Sequence, residues 1–563
     1  MHLAIADAHL QVRELPLMGI LRSTPFALSL FFALAACGGD GDGTKTVGDL
    51  PDAGGPITPP AASCAAGENA TAEASEPQLL TSISDRWHEG WLASPAIADL
   101  DGDGTAEIVV ARADRLSVWH SDGTLVWQAE VDGRIWTSPI VGDLLPGAAG
   151  LETVVASRDA ISLYDASGTL MPGYPFEWRD ELRSLAAADI DGDGRLEIVA
   201  VTNSRLEANG KRDILFAIEA EGAEPIAGFP PNTSGTSGCE DACYVTGGYD
   251  QNLALGDVNG DGAADIFATQ DNAYLSLHEG DGKAFPAAAF FEDRNFFPGI
   301  RFLHDYDEAK QGYADDEDSA NQAHFTNSAP AIADVDGDGQ ADLVVLGSVQ
   351  NASQDDRERG VGLWVLHNDG TRLAGWETPF HAEGYLSGLW DFDGTNMVGA
   401  TNQVSVVDLD PARNGLEMVF AGFDGRIHAV DSSASEMWNY GYTDDPRVLT
   451  GGVAVADLSG DGSPEIIFAS YSPDDDKSHL FILGAGGSEQ HKIALPDRGS
   501  MAVPTIADAT GDGVLEIALA MKAGEDDQPQ LMLFSVPGSG DACLLWATGR
   551  ANLLRNGFVP PAQ

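Results

Sequence analysis

The stretch Ser94-Pro-Ala-Ile-Ala-Asp99-Leu-Asp101-Gly-Asp103-Gly104-Thr105-Ala-Glu107-Ile-Val-Val110 couples a short alternating run, an acidic glycine-bearing turn and a β-branched run. It therefore reads as strand, loop, strand. Close copies begin their acidic run at Asp189, Asp257, Asp334, Asp457 and Asp508. Looser copies begin at Asp143 and Asp408, each one residue longer before its glutamate. Successive first acids stand 44, 46, 68, 77, 74, 49 and 51 residues apart, a repeat of small units carrying insertions. After its loop the first unit continues as EIVVA, LSVWH and TLVWQ, separated by short polar turns. Four antiparallel strands per repeat make the blade of a β-propeller. The expected fold is all-β, a propeller of about eight four-stranded blades over 77–563, or seven if one loose copy is not a full blade.

The acidic turn has the spacing of a cation cage. In Asp-x-Asp-x-Asp-Gly-x-x-Asp/Glu, alternate residues turn oxygens toward one point, glycine allows the bend, and the last carboxylate closes the cage. Hard oxygen donors in that number suit Ca²⁺. The expected side-chain ligands are Asp99, Asp101, Asp103 and Glu107; Asp189, Asp191, Asp193 and Glu197; Asp257, Asn259, Asp261 and Asp265; Asp334, Asp336, Asp338 and Asp342; Asp457, Ser459, Asp461 and Glu465; Asp508, Thr510, Asp512 and Glu516. The backbone carbonyls of Thr105, Arg195, Ala263, Gln340, Ser463 and Val514 would complete about six structural Ca²⁺ sites. The array resembles the FG-GAP (VCBS-type) repeats of integrin α-subunit heads and of bacterial surface proteins, over roughly 94–563. That resemblance implies a calcium-bearing β-propeller whose ligands bind on the face away from the calcium loops. The nonapeptide carries the match; the Phe-Gly and Gly-Ala-Pro signatures are poorly kept. The loops at Asp143 and Asp408 depart from it, the first placing Leu145 and Gly147 where acids belong.

In such a blade the acidic loops and the short third turns share one face. The long insertions, at about 202–212, 348–360 and 472–478 and at 229–250, 287–328 and 378–400, fall on the other. Irregular loops on a rigid frame are where recognition resides, so a protein or glycan partner is expected there. His120, His278 and His367 read as one repeated slot at the end of the third strand, and with His428 as scaffold. Arg301 with His304-Asp305-Tyr306-Asp307 reads as a polar solvated loop. No nucleophile elbow, zinc helix or phosphate loop occurs in the sequence. A binding module is the first reading. The alternative is a propeller enzyme, such as a calcium-dependent polysaccharide lyase, or a relative of quinone-dependent dehydrogenases, which Trp119, Trp127, Trp136 and Trp438 bring to mind.

The apolar run Phe26–Ala36 has the length of a signal h-region, not of a membrane span. It ends in Leu34-Ala35-Ala36-Cys37, which resembles the lipobox of bacterial lipoproteins. Residues 1–36 are thus expected to be a lipoprotein signal peptide, with Met18 as the true start. Cys37 would be the lipidated residue, 37–76 a flexible linker, and the destination the outer membrane or cell surface of a Gram-negative bacterium, with membrane contact through that anchor only. Of the other cysteines, Cys239 and Cys243 are expected to pair, as are Cys64 and Cys543 at the two ends of the ring. The 88 acidic side chains against 30 basic ones, net −58, argue against a nucleic-acid partner. Twenty-one of those acids lie in the six regular loops.

Overall fold

In a computed structural model the described residues are 63–67, 70–84, 92–202, 214–231, 248, 251–303 (less 293 and 299), 306–307, 320–386, 402–522 and 528–561, less positions 327, 352, 354–355 and 475. The expected signal peptide, Cys37, Cys239, Cys243, His304 and Asp305 lie outside them. Eight antiparallel sheets follow one another along the chain, which decides for eight blades over seven. The first is Ala96–Ala98, Glu107–Arg112, Arg115–His120 and Leu125–Glu130. Blades 3 and 4 hold three strands each, Leu182–Ala188, Glu197–Thr202, Leu215–Glu219 and Leu253–Gly256, Asp265–Thr269, Leu275–His278. In both, the expected fourth strand shrinks to one bridge, Ile218 with Pro225 and His278 with Ala284.

Small residues on the inner strands, such as Ala96, Ala186, Ala187, Ala331, Ala333, Ala454 and Ala456, are buried and let the blades converge on the axis. Between several blades the contacts are aliphatic, and between blades 4 and 5 Phe267, Phe297 and Trp364 add aromatic packing. Ile140, Val154 and Leu163 of blade 2 pack with Leu185, Ile198 and Ile218 of blade 3. Ile97, Ile108 and Val110 of blade 1 pack with Ala518, Ala520 and Leu533 of blade 8, closing the ring. Tryptophans staple neighbouring blades: Trp127 Nε1 donates to Ala166 O (3.0 Å), Trp376 Nε1 to Ser432 O (2.8 Å) and Trp438 Nε1 to Ala485 O (2.8 Å). Gly168 sits under the Trp127 ring, where a Cβ would approach to 2.6 Å. Trp127 and Trp438 thus act as structural pins. Trp136 lies between the guanidinium groups of Arg134 and Arg183 (4.3 and 4.0 Å) and donates to Glu181.

Both chain ends close the ring. Gln78–Ile83 pairs with Leu531–Ser535 as the outer strand of blade 8. The C-terminal segment enters the central channel and travels round its wall. Cys543–Trp546 pairs with Ala454–Asp457 of blade 7. The carbonyls of Ala547, Leu553, Leu554, Asn556 and Gly557 then accept from Ile506, Val141, Ala187, Leu255 and Ile332, on the inner strands of blades 8, 2, 3, 4 and 5. Gln403 of blade 6 accepts from Arg550 N (3.0 Å). Arg550 reaches Ser184 Oγ and the carbonyls of Leu185 and Leu253. Arg555 donates to Pro139 O, Thr548 Oγ1, Gly549 O and the carbonyls of Ser94 and Pro95. Both side chains are buried. Burial pulls Arg555 down to about 9, still above neutrality, so it remains a cation fixed by carbonyl dipoles.

Cys64 and Cys543 are joined by a disulfide (Cα–Cα 5.8 Å). The described part of the expected linker is not free of the ring: Gly67 N donates to Gly460 O (2.7 Å), Thr71 N to Ser459 O (2.9 Å), and Ala74 is buried against blade 7. Replacing Arg555 by Met strands its carbonyl partners in the channel. The Arg555→Met protein should lose about 3 kcal/mol of unfolding free energy in urea titrations. Arg158→Met, at an exposed guanidinium, should change it by under about 0.5 kcal/mol.

Candidate metal loops

Each regular loop is folded around its first aspartate. Asp99 Oδ1 accepts from Gly102 N (2.8 Å) and Asp103 N (3.1 Å), and Oδ2 from Gly104 N (2.8 Å). Asp189, Asp257 and Asp334 repeat the three bonds. Asp457 and Asp508 keep two each. Gly104 has φ +93° and open space where a Cβ would stand, so backbone conformation alone calls for glycine there. At the far end, the closing carboxylate begins the second strand and turns back on the loop. Glu107 Oε2 accepts from Leu100 N (2.9 Å), Glu197 from Ile190 N (2.8 Å), Asp265 from Val258 N (3.0 Å), Asp342 from Val335 N (3.0 Å), Glu465 from Leu458 N (2.8 Å) and Glu516 from Ala509 N (2.8 Å).

The two expanded loops keep this closing bond, Glu152 to Leu144 N (2.9 Å) and Glu417 to Leu409 N (2.8 Å). All eight blades therefore share it. The sequence reading singled out only six of these closing acids. The signal for the other two was the Leu-Glu dipeptide at the start of the second strand, Leu151-Glu152 and Leu416-Glu417.

Three loops bring carboxylates together: Asp99, Asp101 and Glu107; Asp189, Asp191 and Glu197; Asp334, Asp336 and Asp342. Within each group the oxygens lie within 4.8 Å of one another. These are the first, third and last positions of the motif. Asp257, Asp457 and Asp508 have Asn259, Ser459 and Thr510 in the third position, so their loops offer fewer carboxylates. The fifth-position acids serve the turn: Asp103 Oδ1 accepts from Thr105 N (2.8 Å), and Asp193 takes Arg195 N and its guanidinium. The donor set fits a hard cation. Glu197 Oε1 is buried and accepts no hydrogen bond, and Glu197 has Asp189 and Asp191 beside it. Glu107 Oε1 faces His120 Nδ1 at 3.4 Å. Burial, with the neighbouring acids adding to it, raises Glu197, Asp265 and Glu465 to about 7. These acidic clusters can thus hold a metal ion.

Opposite the closing acid lies the histidine slot. Glu107 pairs with His120, and Asp342 meets His367 (3.3 Å), which raises that imidazole through its carboxylate hydrogen bond. His278 does not belong to the slot. It pairs with Ile266, one residue out of phase, and Glu279 makes the turn bond that His120 and His367 make elsewhere. The extra residue before the Asp-Gly turn of blade 4 shifts the phase and sends His278 into the core, where burial lowers it to about 3. In the loop read as polar and solvated, Arg301 is buried and Tyr306 packs on Phe290 (centroids 4.5 Å). That part of the insertion is anchored, not solvated.

The chain matches no family profile and no curated protein. Among solved structures it is similar to the V. cholerae biofilm matrix protein Bap1 (TM-score 0.49, 15% identity, covering 87% of this chain and 97% of that one). BamB from Moraxella catarrhalis gives 0.41 at 12% identity, covering 82% and 98%. The exotype rhamnogalacturonan lyase YesX gives 0.36 at 13%, covering 78% and 82%. Among the described residues no helix is long and apolar enough to cross a membrane.

Glu152 isolates the cost of a closing acid in a loop without the full ligand set. Both its bonds, from Leu144 and Leu145, go to Oε2, and Oε1 is buried without a partner. Burial raises it to about 7, against those two N–H bonds and helped by Asp143. Its folded pKa exceeds the unfolded one, so its stabilising effect is full below about pH 4.5 and is lost as pH rises to about 7. Glu152→Gln keeps an acceptor for Leu144 without the charge. Its melting temperature relative to wild type should rise between pH 5 and pH 8; a constant offset would show that Glu152 does not titrate in that window.

Proposed function

We propose that this chain is an exported, lipid-anchored, calcium-binding propeller of the FG-GAP type. It acts at the outer membrane or cell surface of a Gram-negative bacterium, binding a protein or glycan on the face opposite the metal loops. The observation that carries the reading is the lined axis. Residues 543–559 line the channel wall and bond to every blade, so the inner-strand edges that face the axis are occupied by the chain itself. What is left to a partner is the face where the second strand of blade 5, Asp342–Gln350, runs nine residues and is met by the insertion strand Gln322–His324. Trp127 and Trp438, two of the four tryptophans that suggested a quinone-dependent dehydrogenase, serve as pins between blades.

Support for calcium comes from the all-oxygen donor sets of the three carboxylate clusters. Six Ca²⁺ ions would carry the chain from −58 to −46. Mutual repulsion of the ligands makes folding and metal binding one process, so chelation with EGTA should lower the melting temperature by several degrees or more. Excess Ca²⁺ should restore it and equimolar Mg²⁺ should not. Function is tested by capture from a glycan array and a surface-protein extract with the calcium-loaded protein and a chelated control. Retention of a partner by the loaded form supports the reading, whereas release of unsaturated uronides from a polysaccharide would replace it with a lyase.

A further inference from the structure

Between the outer strand of blade 5, Phe380–Ala382, and the two outer strands of blade 6, Arg426–Val430 and Glu436–Gly441, lies a polar cleft of about 590 Å³. It runs beside the turn at Gly422–Gly425, on the side away from the acidic loops. His428 forms its base. The imidazole is buried, stacks on Phe420 (centroids 5.4 Å, 18°), and is held at both nitrogens: Nδ1 by Glu436 Oε1 (2.8 Å) and Nε2 by Asp424 (3.2 Å). Burial opposes the charge, but the two carboxylates outweigh it and raise the imidazole.

Asp424 is fixed from every side. Arg426 N donates to it (3.2 Å). A Cβ on Gly384 would stand 2.6 Å from its Cβ, and one on Gly422 would stand 2.5 Å from its Oδ1. Glycine is needed at both positions to admit it. Arg426 and Asn439, joined by a 2.7 Å bond, form one rim, and Glu383, exposed, stands on the other side.

The cleft thus sets acceptor-only carboxylates (Asp424, Glu383, Glu436) against donor groups (Arg426, Asn439) around one small volume, over an imidazole whose two nitrogens are already taken by Glu436 and Asp424. A phosphate or uronate would meet three carboxylates on a chain of net charge −58. An isolated ammonium would meet the guanidinium and the imidazolium. A hydroxyl both donates and accepts, so a neutral polyol ring satisfies both sets at once, and the volume lies in the range of small-ligand sites. We propose that this cleft is a binding site for a neutral oligosaccharide, with Asp424 and Arg426 bracketing a pair of adjacent hydroxyls. The assignment rests on the recognition-face reading above and gives it a place and a ligand class.

The test compares wild type, Asp424→Asn and Arg426→Ala, all calcium-loaded, on immobilised neutral gluco-, manno- and galacto-oligosaccharides and on oligogalacturonate. Melting temperatures are measured in parallel. Arg426 is at the exposed rim, so its variant keeps the fold if the Asp424 variant does not. Wild type should hold at least one neutral series in preference to oligogalacturonate, and each folded variant should bind it roughly tenfold more weakly or worse. Preference for oligogalacturonate, or unchanged binding by folded Arg426→Ala, overturns the cleft assignment. If in that case the protein still captures a glycan or surface protein, the recognition-face reading stands. If wild type retains neither, both fall.

Discussion

Eight inner strands turn one edge of unpaired N–H and C=O groups toward a common axis, and everything else in this ring depends on how that edge is satisfied. Unpaired backbone groups away from water cost about as much as a lost hydrogen bond each. The chain meets the demand with its own C-terminus, whose carbonyls answer the inner strands of five blades in turn. Two guanidinium groups, at Arg550 and Arg555, collect carbonyls from blades 1 to 4, those of Pro95, Pro139, Leu185 and Leu253. A guanidinium suits this place because its five donors lie in one plane, and a ring of converging carbonyls supplies the negative potential that a carboxylate partner would give elsewhere. The same segment explains why closure is assigned to the N-terminal strand. With 543–559 committed to the channel, the outer edge of blade 8 is free to take Gln78–Ile83.

The parts of this fold legible in the sequence are those written locally and repeated. The Asp-x-Asp-x-Asp-Gly register fixes each first hairpin, because its bonds join residues two to eight apart, and eight copies give eight blades. The tail was not legible, because its partners lie up to several hundred residues away: Arg555 meets Pro95, and Arg550 meets Ser184. A buried arginine that binds backbone carbonyls leaves no complementary residue type for a pattern to reveal. His278 shows the converse failure. Its Leu-His ending imitates the slot of His120 and His367, yet strand phase is set by the turn, and Glu-Gly-Asp-Gly places the slot at Glu279. The pairing of His428 with Asp424 and Glu436 was hidden for a third reason: the reading by repeat treated each histidine as scaffold, while the contact arises across a turn and a neighbouring strand.

The closing carboxylate links the acidity of the chain to its architecture. In every blade it accepts a backbone N–H from the residue after the first aspartate, or its equivalent, so it would be structural even in a loop that binds no metal. Blade 2 illustrates this. Leu145, Pro146 and Gly147 take the place of the ligand acids, yet Glu152 keeps its bonds to the loop. The second carboxylate oxygen then distinguishes the loops. With acids at the first and third positions it faces a cluster that a cation can neutralise. At Glu152, where Leu145 holds the third position, it is a buried charge that a proton relieves.

With the channel wall lined by 543–559 and one face carrying the acidic loops, the proposed recognition would fall on the edges and the opposite face. There the blade-to-blade contacts need not be continuous. Blades 5 and 6 share a core beneath their middle strands, including Val344, Val365, Val406 and Val419, but their outer strands diverge as strands radiating from an axis must. A cleft between outer strands is therefore inherent in the ring, and what makes the one at Asp424 distinctive is its lining. Gly384 and Gly422 give up side chains to bring a carboxylate against a buried imidazole. Space cleared for a charged pair, on the side of the ring that no structural ion would stabilise, contributes little to folding, since the desolvation of such a pair offsets most of its attraction. The arrangement is accounted for by a ligand that uses those charges as hydrogen-bond partners.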